Sequence, residues 1–86
     1  MNAVVIRVRI KDREAAVKGL QDEVVPASKQ APGFVAGYWT GKADSGLAMI
    51  IFDSEETARN FSEQVTRPQE NVEIEDVEVR EVVAHA

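Results

Sequence analysis

PGFVAGYWTGKADSGLAMIIFDSEETARNF, residues 32–61, decides the fold of this chain. It divides into a Pro-Gly turn, a strand over 34–41, a short polar connection from Lys42 to Gly46, a strand reading GLAMIIFD and a helix opening SEETARNF. Successive side chains of a strand point to opposite faces. Leu47, Met49 and Ile51 therefore point one way, Ala48, Ile50 and Phe52 the other, and both sets are apolar. Such a strand needs cover on both sides of its sheet. A chain of 86 residues can cover one side, so the expectation is a homodimer in which a second copy covers the other.

Upstream, Val4, Ile6, Val8 and Ile10 alternate with Val5, Arg7 and Arg9, which is the period of a strand over residues 3–10. Asp12 stands where an N-cap belongs, and Val17, Leu20, Val24, Ala27, Ser28 and Ala31 follow as the apolar stripe of a helix over 12–31 that packs one face on the sheet. Pro26 lies inside that helix, where it removes a backbone donor and crowds the carbonyl of Asp22, so a kink or break is expected. Downstream, Asp53 or Ser54 caps a helix over 54–66, with Glu55 and Glu56 in its first turn and Ala58, Phe61 and Val65 as its buried stripe.

After a connection at 66–71 the last strand begins Val72, Glu73, Ile74, Glu75 and resumes Val77, Glu78, Val79. The apolar phase slips by one residue at Glu75-Asp76, the sequence mark of a β-bulge on an edge strand. The order is strand, helix, strand, strand, helix, strand. It reads as one α+β domain over 1–86, a ferredoxin-like βαββαβ fold. Its four-stranded antiparallel sheet has the first and third strands in the middle and both helices on one face.

Composition narrows the function. Hydrophobic residues make up 44% and charged residues 29%, the balance of an ordinary globular protein. The absence of cysteine removes disulfides, thiolate metal sites and a cysteine nucleophile. A net charge of −5 without a lysine or arginine run is unsuited to nucleic acid or an anionic membrane. Arg7, Arg9 and Lys11 interrupt the early apolar run, so neither a signal-peptide core nor a spanning segment is read there, and a cytoplasmic protein is expected.

The PGFVAGYW turn and strand, the IIFDSEETARNF passage and the βαββαβ order together resemble the dimeric α/β-barrel superfamily, within it the antibiotic-biosynthesis-monooxygenase-like group, over essentially the whole chain. The resemblance implies a homodimer and, as one activity among several, a cofactor-independent monooxygenase acting on a small aromatic or quinol-like compound. In such oxygenases the protein stacks the substrate and handles a proton while oxygen reacts with the substrate carbanion. The alternative it implies is a non-catalytic dimer that binds a small ligand or serves in assembly. Haem-degrading relatives use an asparagine on the first strand with a tryptophan and a histidine around the second helix; here the first strand offers Arg7 and Arg9, and residues 54–66 contain neither Trp nor His.

On that resemblance, Tyr38, Trp39 and Asn60 are the candidate catalytic residues, with Arg7, Arg59 and Phe61 as candidate ligand contacts; no cofactor and no metal is expected. Each has a plainer reading. Tyr38 and Trp39 are adjacent and point to opposite faces, so only one can line a given pocket, and either can be core or dimer contact. Gly37 shares a face with Trp39, where its missing side chain leaves space for a flat ligand or for the tryptophan of a packed neighbour. Arg7 and Arg9 can grip a carboxylate or phenolate, or pair across strands with Glu78 or its neighbours. Arg59 and Asn60 flank the buried stripe, where solvent exposure is usual. His85, the one histidine, is one residue from the last position and reads as a tail residue rather than a general base. The carboxylates Glu70, Glu73, Glu75, Asp76, Glu78 and Glu81 read as a solvated, protected edge rather than a cation site.

Overall fold

The structure is a computed structural model that describes residues 1–65 and 72–86. The connection at 66–71, Glu70 included, lies outside the described residues. Along the chain run β1 (Asn2–Ile10), α1 (Arg13–Gly19), a π-helical turn (Leu20–Val24), α2 (Val25–Gln30), β2 (Phe34–Lys42), β3 (Ser45–Phe52), α3 (Glu55–Val65) and β4 (Val72–Glu81). The strands form one antiparallel sheet in the order β2-β3-β1-β4, the ferredoxin-like α+β arrangement with β1 and β3 central.

The element ends follow from local chemistry. Asp12 Oδ1 accepts the Ala15 N–H at 3.2 Å and starts α1. Ser54 Oγ accepts the Thr57 N–H at 3.2 Å and starts α3. Gly33 has φ +80° and closes the first helical stretch, and a side chain there would lie 2.6 Å from Thr57 Oγ1. The Asp53 N–H donates to the Gly33 carbonyl at 2.8 Å, tying that turn to the end of β3.

The kink expected at Pro26 takes the form of the π-helical turn that precedes it. Widening the helix by a residue relieves the ring's crowding of the preceding turn and accommodates the donor that proline lacks. A wider turn rotates less per residue, so Ser28 faces inward and is 1% exposed, whereas Ala27 is exposed. The Ser28 hydroxyl donates to the Val24 carbonyl at 2.7 Å, satisfying it inside the helix–sheet layer.

One face of the sheet carries the core: Val4, Ile6, Ala48, Ile50 and Phe52 meet Ala58 and Phe61 of α3. The rings of Phe52 and Phe61 lie 5.0 Å apart, and Phe34 meets Phe52 edge-on at 6.3 Å. The first helical stretch departs from the expected close packing. α2 contacts β2, but α1 and the π-helical turn stand off from the sheet, leaving Val17 43% exposed and Leu20 and Val24 half-buried. The facing surfaces explain the gap: Ala15, Ala16 and Gly19 on the helix oppose Gly41, Gly46 and Ala48 on the sheet, and residues this small cannot fill the layer.

The opposite face has no helix. Its rows, read across β2, β3, β1 and β4, are Ala36–Ile51–Ala3–Arg80, Tyr38–Met49–Val5–Glu78 and Thr40–Leu47–Arg7–Asp76. Leu47 is 45% and Met49 42% exposed there, beside Tyr38. The bulge lies where the phase slip put it: Arg7 is opposite Asp76 and Val8 opposite Ile74, so Glu75 is the extra residue. That register keeps Arg7 paired to a β4 carboxylate, as expected, but corrects which one, and Arg9 pairs outside β4. Asp76, not Glu78, faces Arg7, with Nη2 and Oδ2 3.4 Å apart. Glu78 is engaged by Arg80 at 2.8 Å, and Arg9 reaches Asp44 in the β2–β3 turn at 3.8 Å. The side chains of all three pairs are largely solvated, and exposed pairs contribute about 0–1 kcal/mol each.

This distribution of buried and exposed residues predicts that Phe61→Ala lowers stability by about 3 kcal/mol or more, through a cavity against Phe52. Glu73→Ala, on the exposed side of the β4 edge, changes it by about 0.5 kcal/mol or less. Denaturant unfolding measures both, and equal costs would contradict this assignment of faces.

Candidate functional site

The gap between α1 and the sheet is a cleft of about 750 Å³, within the range that accommodates small molecules. Its floor is the helix side of the sheet, including Ile6, Val8, Ala48, Ile50 and Ile74; its roof is α1 and the π-helical turn, with Leu20 and Val24; Phe61 and Val65 of α3 close one flank. Trp39 reaches this wall from β2. Its ring folds back over Gly37, so closely that a Cβ there would sit 2.7 Å from Cη2 and 2.9 Å from Cζ3. The space left by Gly37 is thus occupied by Trp39 of the same chain, and the cleft opens on the other side of the indole, toward Gly41 and Gly46.

The candidate residues fall into separate places. Trp39 and Phe61 share the cleft. Tyr38 is on the helix-free face, 64% exposed, and Arg7 is in the next row of that face, two strands away from Tyr38 and paired with Asp76. Asn60 borders a second groove of about 930 Å³ between α2 and α3, with Ser28, Thr57 and Gln64. Phe61, Val24 and Val65 bound both spaces. Arg59 is exposed on α3 and ion-paired to Glu55 one turn earlier. His85 is exposed in the segment after β4.

Two features of the cleft are not among these candidates. Arg13, the first residue of α1, lines the cleft end beside Gly41 and donates from Nη1 to the Ala43 carbonyl at 3.2 Å. Its place in the sequence carries a signal, since a cation in the first turn opposes the helix dipole and is unusual without another role. Of the glycines Gly41 and Gly46, directly opposite in the β2–β3 register, Gly41 leaves room for the Arg13 guanidinium and Gly46 for Val8, whose Cγ2 would lie 2.7 Å from a Cβ there. A hairpin glycine reads as turn chemistry, which hides this second effect.

The charged residues along the cleft are Arg13, Lys18, Asp22 and Glu23, all exposed at its mouth. Elsewhere, hydrogen bonding to Glu78 and then that group's charge hold the Arg80 guanidinium above its ordinary value. Among the described residues no three His, Asp or Glu side chains gather in a way that could hold a metal ion. No helix among them is long and apolar enough to cross a membrane.

No protein-family model matches this chain, and no curated protein matches it. Among solved structures, the crystal structure of MupZ from Pseudomonas fluorescens is similar, with a TM-score of 0.66 and 13% sequence identity. The match covers 91% of this chain and 65% of MupZ, so this chain spans less than two thirds of that protein's length. At this identity the likeness shows a shared small α+β fold.

The fit of Trp39 over Gly37 is directly testable. Gly37→Ala forces the indole off the strand, so Trp39 emission moves to longer wavelength and the unfolding midpoint falls, by about 1–3 kcal/mol of stability for overpacking. Unchanged emission together with unchanged stability would disprove the contact.

Proposed function

We propose that this single domain over 1–86 is a cytoplasmic, homodimeric α/β barrel of the antibiotic-biosynthesis-monooxygenase-like group. In this reading each cleft takes a small aromatic or quinol-like compound and the protein acts on it as a cofactor-independent monooxygenase. The observation that carries it is the open helix–sheet cleft with Trp39 and Phe61 on an otherwise aliphatic wall. Such a site strips water from a flat ring and holds it by stacking and dispersion. The reaction then needs little from the protein. Loss of a proton makes the compound a carbanion that reduces oxygen; where the carbon is a CH₂, one oxygen atom becomes its carbonyl and the other leaves as water, the substrate supplying all four electrons. Trp39 positions the ring in this scheme, and Asn60, across Phe61 in the adjoining groove, is the polar candidate for the proton. Tyr38 faces away from the cleft and belongs with the dimer contact.

A second reading, a dimer that binds the compound without transforming it, draws on one observation: the cleft's ionisable groups stand at its mouth and its interior wall is aliphatic and aromatic. Oxygen uptake separates the two. With a panel of phenols and quinols, metal-free and flavin-free protein consumes oxygen faster than the spontaneous reaction, and Trp39→Leu reduces that rate while the dimer persists. Binding to the cleft with no protein-dependent uptake across the panel selects the second reading.

The dimer is supported by the helix-free face, where Leu47, Met49 and Tyr38 remain exposed. Covering it gives an interface of about 800 Å² or more per partner. Sedimentation at micromolar concentration shows a dimer, and Leu47→Glu, which places a charge in the middle of that face, gives a monomer. A folded wild-type monomer under the same conditions would remove the dimer from this proposal.

A further inference from the structure

We infer that the compound taken by the cleft is an aromatic carboxylate, its ring against the wall beside Trp39 and its acid group on the guanidinium of Arg13; this rests on the ligand-binding reading of the cleft above. Arginines in this acidic chain are mostly spoken for: Arg7, Arg9, Arg59 and Arg80 each have a carboxylate partner. Arg13 is the described arginine without one. Nη1 donates to the Ala43 carbonyl at 3.2 Å, which anchors the group, and no protein acceptor among the described residues takes Nε or Nη2. Of the nearby acids, Asp12 is committed to the Ala15 N–H and Asp44 to Arg9, and Glu14 makes no ion pair with Arg13. An anchored guanidinium with its remaining donors open matches the planar, two-oxygen geometry of a carboxylate.

The spacing also fits. Gly41, under Arg13, is two residues beyond Trp39 on the same face of β2, about 7 Å along a strand. The Trp39 ring turns the other way, over Gly37, and Gly41 has no side chain to fill the interval up to the Arg13 guanidinium, while the space over Gly46 is taken by Val8. What remains is an apolar floor, Val8 beside Gly41, with an aromatic edge at one end and a cation at the other, the length of one or two fused rings. Charge at the mouth gives the same orientation: Arg13 is at the start of the roof, Asp22 and Glu23 are at the far end on the π-helical turn, and Lys18 lies between. An acid group is drawn to the first end and repelled from the second.

Calorimetric titration of the full chain with 2-naphthoate and with 2-naphthamide, its neutral isostere, tests this. The carboxylate binds about tenfold more tightly than the amide, as a charge-assisted contact of about 1.5 kcal/mol requires. Arg13→Gln brings 2-naphthoate down to the level of the amide and leaves amide binding unchanged, which also reports that the variant is folded; Arg13→Lys retains part of the preference. Arg7→Gln, on the helix-free face, changes neither. Equal binding of the two compounds by the wild type, or a loss at Arg7→Gln as large as at Arg13→Gln, overturns the assignment to Arg13 and leaves the cleft as a site for neutral aromatics. Binding of neither compound overturns the cleft reading and this inference with it.

Discussion

Ile50 and Phe52 have no exposed surface, and that burial is possible because α3 lays Ala58 and Phe61 across the middle of the sheet. The rest of the molecule is arranged around this contact. It needs β3 beside β1 at the centre, where both strands can present an aliphatic face, and it needs α3 to start immediately after β3. Ser54 and Gly33 secure that start, one by capping the helix and the other by a turn whose backbone alone fits against Thr57. Full burial of a Phe or Ile is worth about 1.5–3 kcal/mol, so this half of the layer contributes much of what a domain of this size can gather.

The other half of the same layer is built from the opposite materials. Where α3 brings a phenylalanine, α1 brings alanines and a glycine, and the sheet beneath answers with two more glycines. The result is a division of labour within one helix–sheet layer: α3 seals, and α1 leaves room. Space in a small domain weakens its core. It is kept here beside the chain's one tryptophan and its one uncommitted described arginine, and this coincidence of cost and chemistry gives the cleft its functional interest.

Much of the fold was legible in the residues. Alternation in β1, the caps at Asp12 and Ser54, the stripe of α3 and the slipped phase at Glu75 all depend on near neighbours in the chain, and each holds in the structure. What escaped depended on distance. The face presented by α2 is set by how the helix accommodates Pro26, so Ala27 and Ser28 could not be told apart from spacing alone. Arg7's partner required the register of β1 against β4, and the occupant of the space at Gly37 required the rotamer of Trp39. Candidate site residues were the least legible of all: residue type suggested Tyr38, Trp39 and Asn60 together, but alternation along β2 and the turn of α3 distribute them among three surfaces. Arg13 stayed hidden because an arginine beside an N-cap is an ordinary helix residue until the hairpin it leans on is in place.

The two edges of the sheet are unlike. β4 carries Glu73, Glu75, Asp76, Glu78 and Glu81 along its length and is broken by a bulge, whereas β2 has Lys42 as its one charged residue and an unbroken run from Ala36 to Lys42. Backbone pairing with another strand is therefore resisted on one side and open on the other. A sheet with one receptive edge can join a second copy through a two-fold axis, β2 to β2, and the union consumes both receptive edges. Head-to-tail growth would need β4 as well, and its clustered negative charge and irregular backbone oppose that. The asymmetry opposes fibre growth: whatever strand β2 could accept, the β4 edge does not offer the second site that propagation would need.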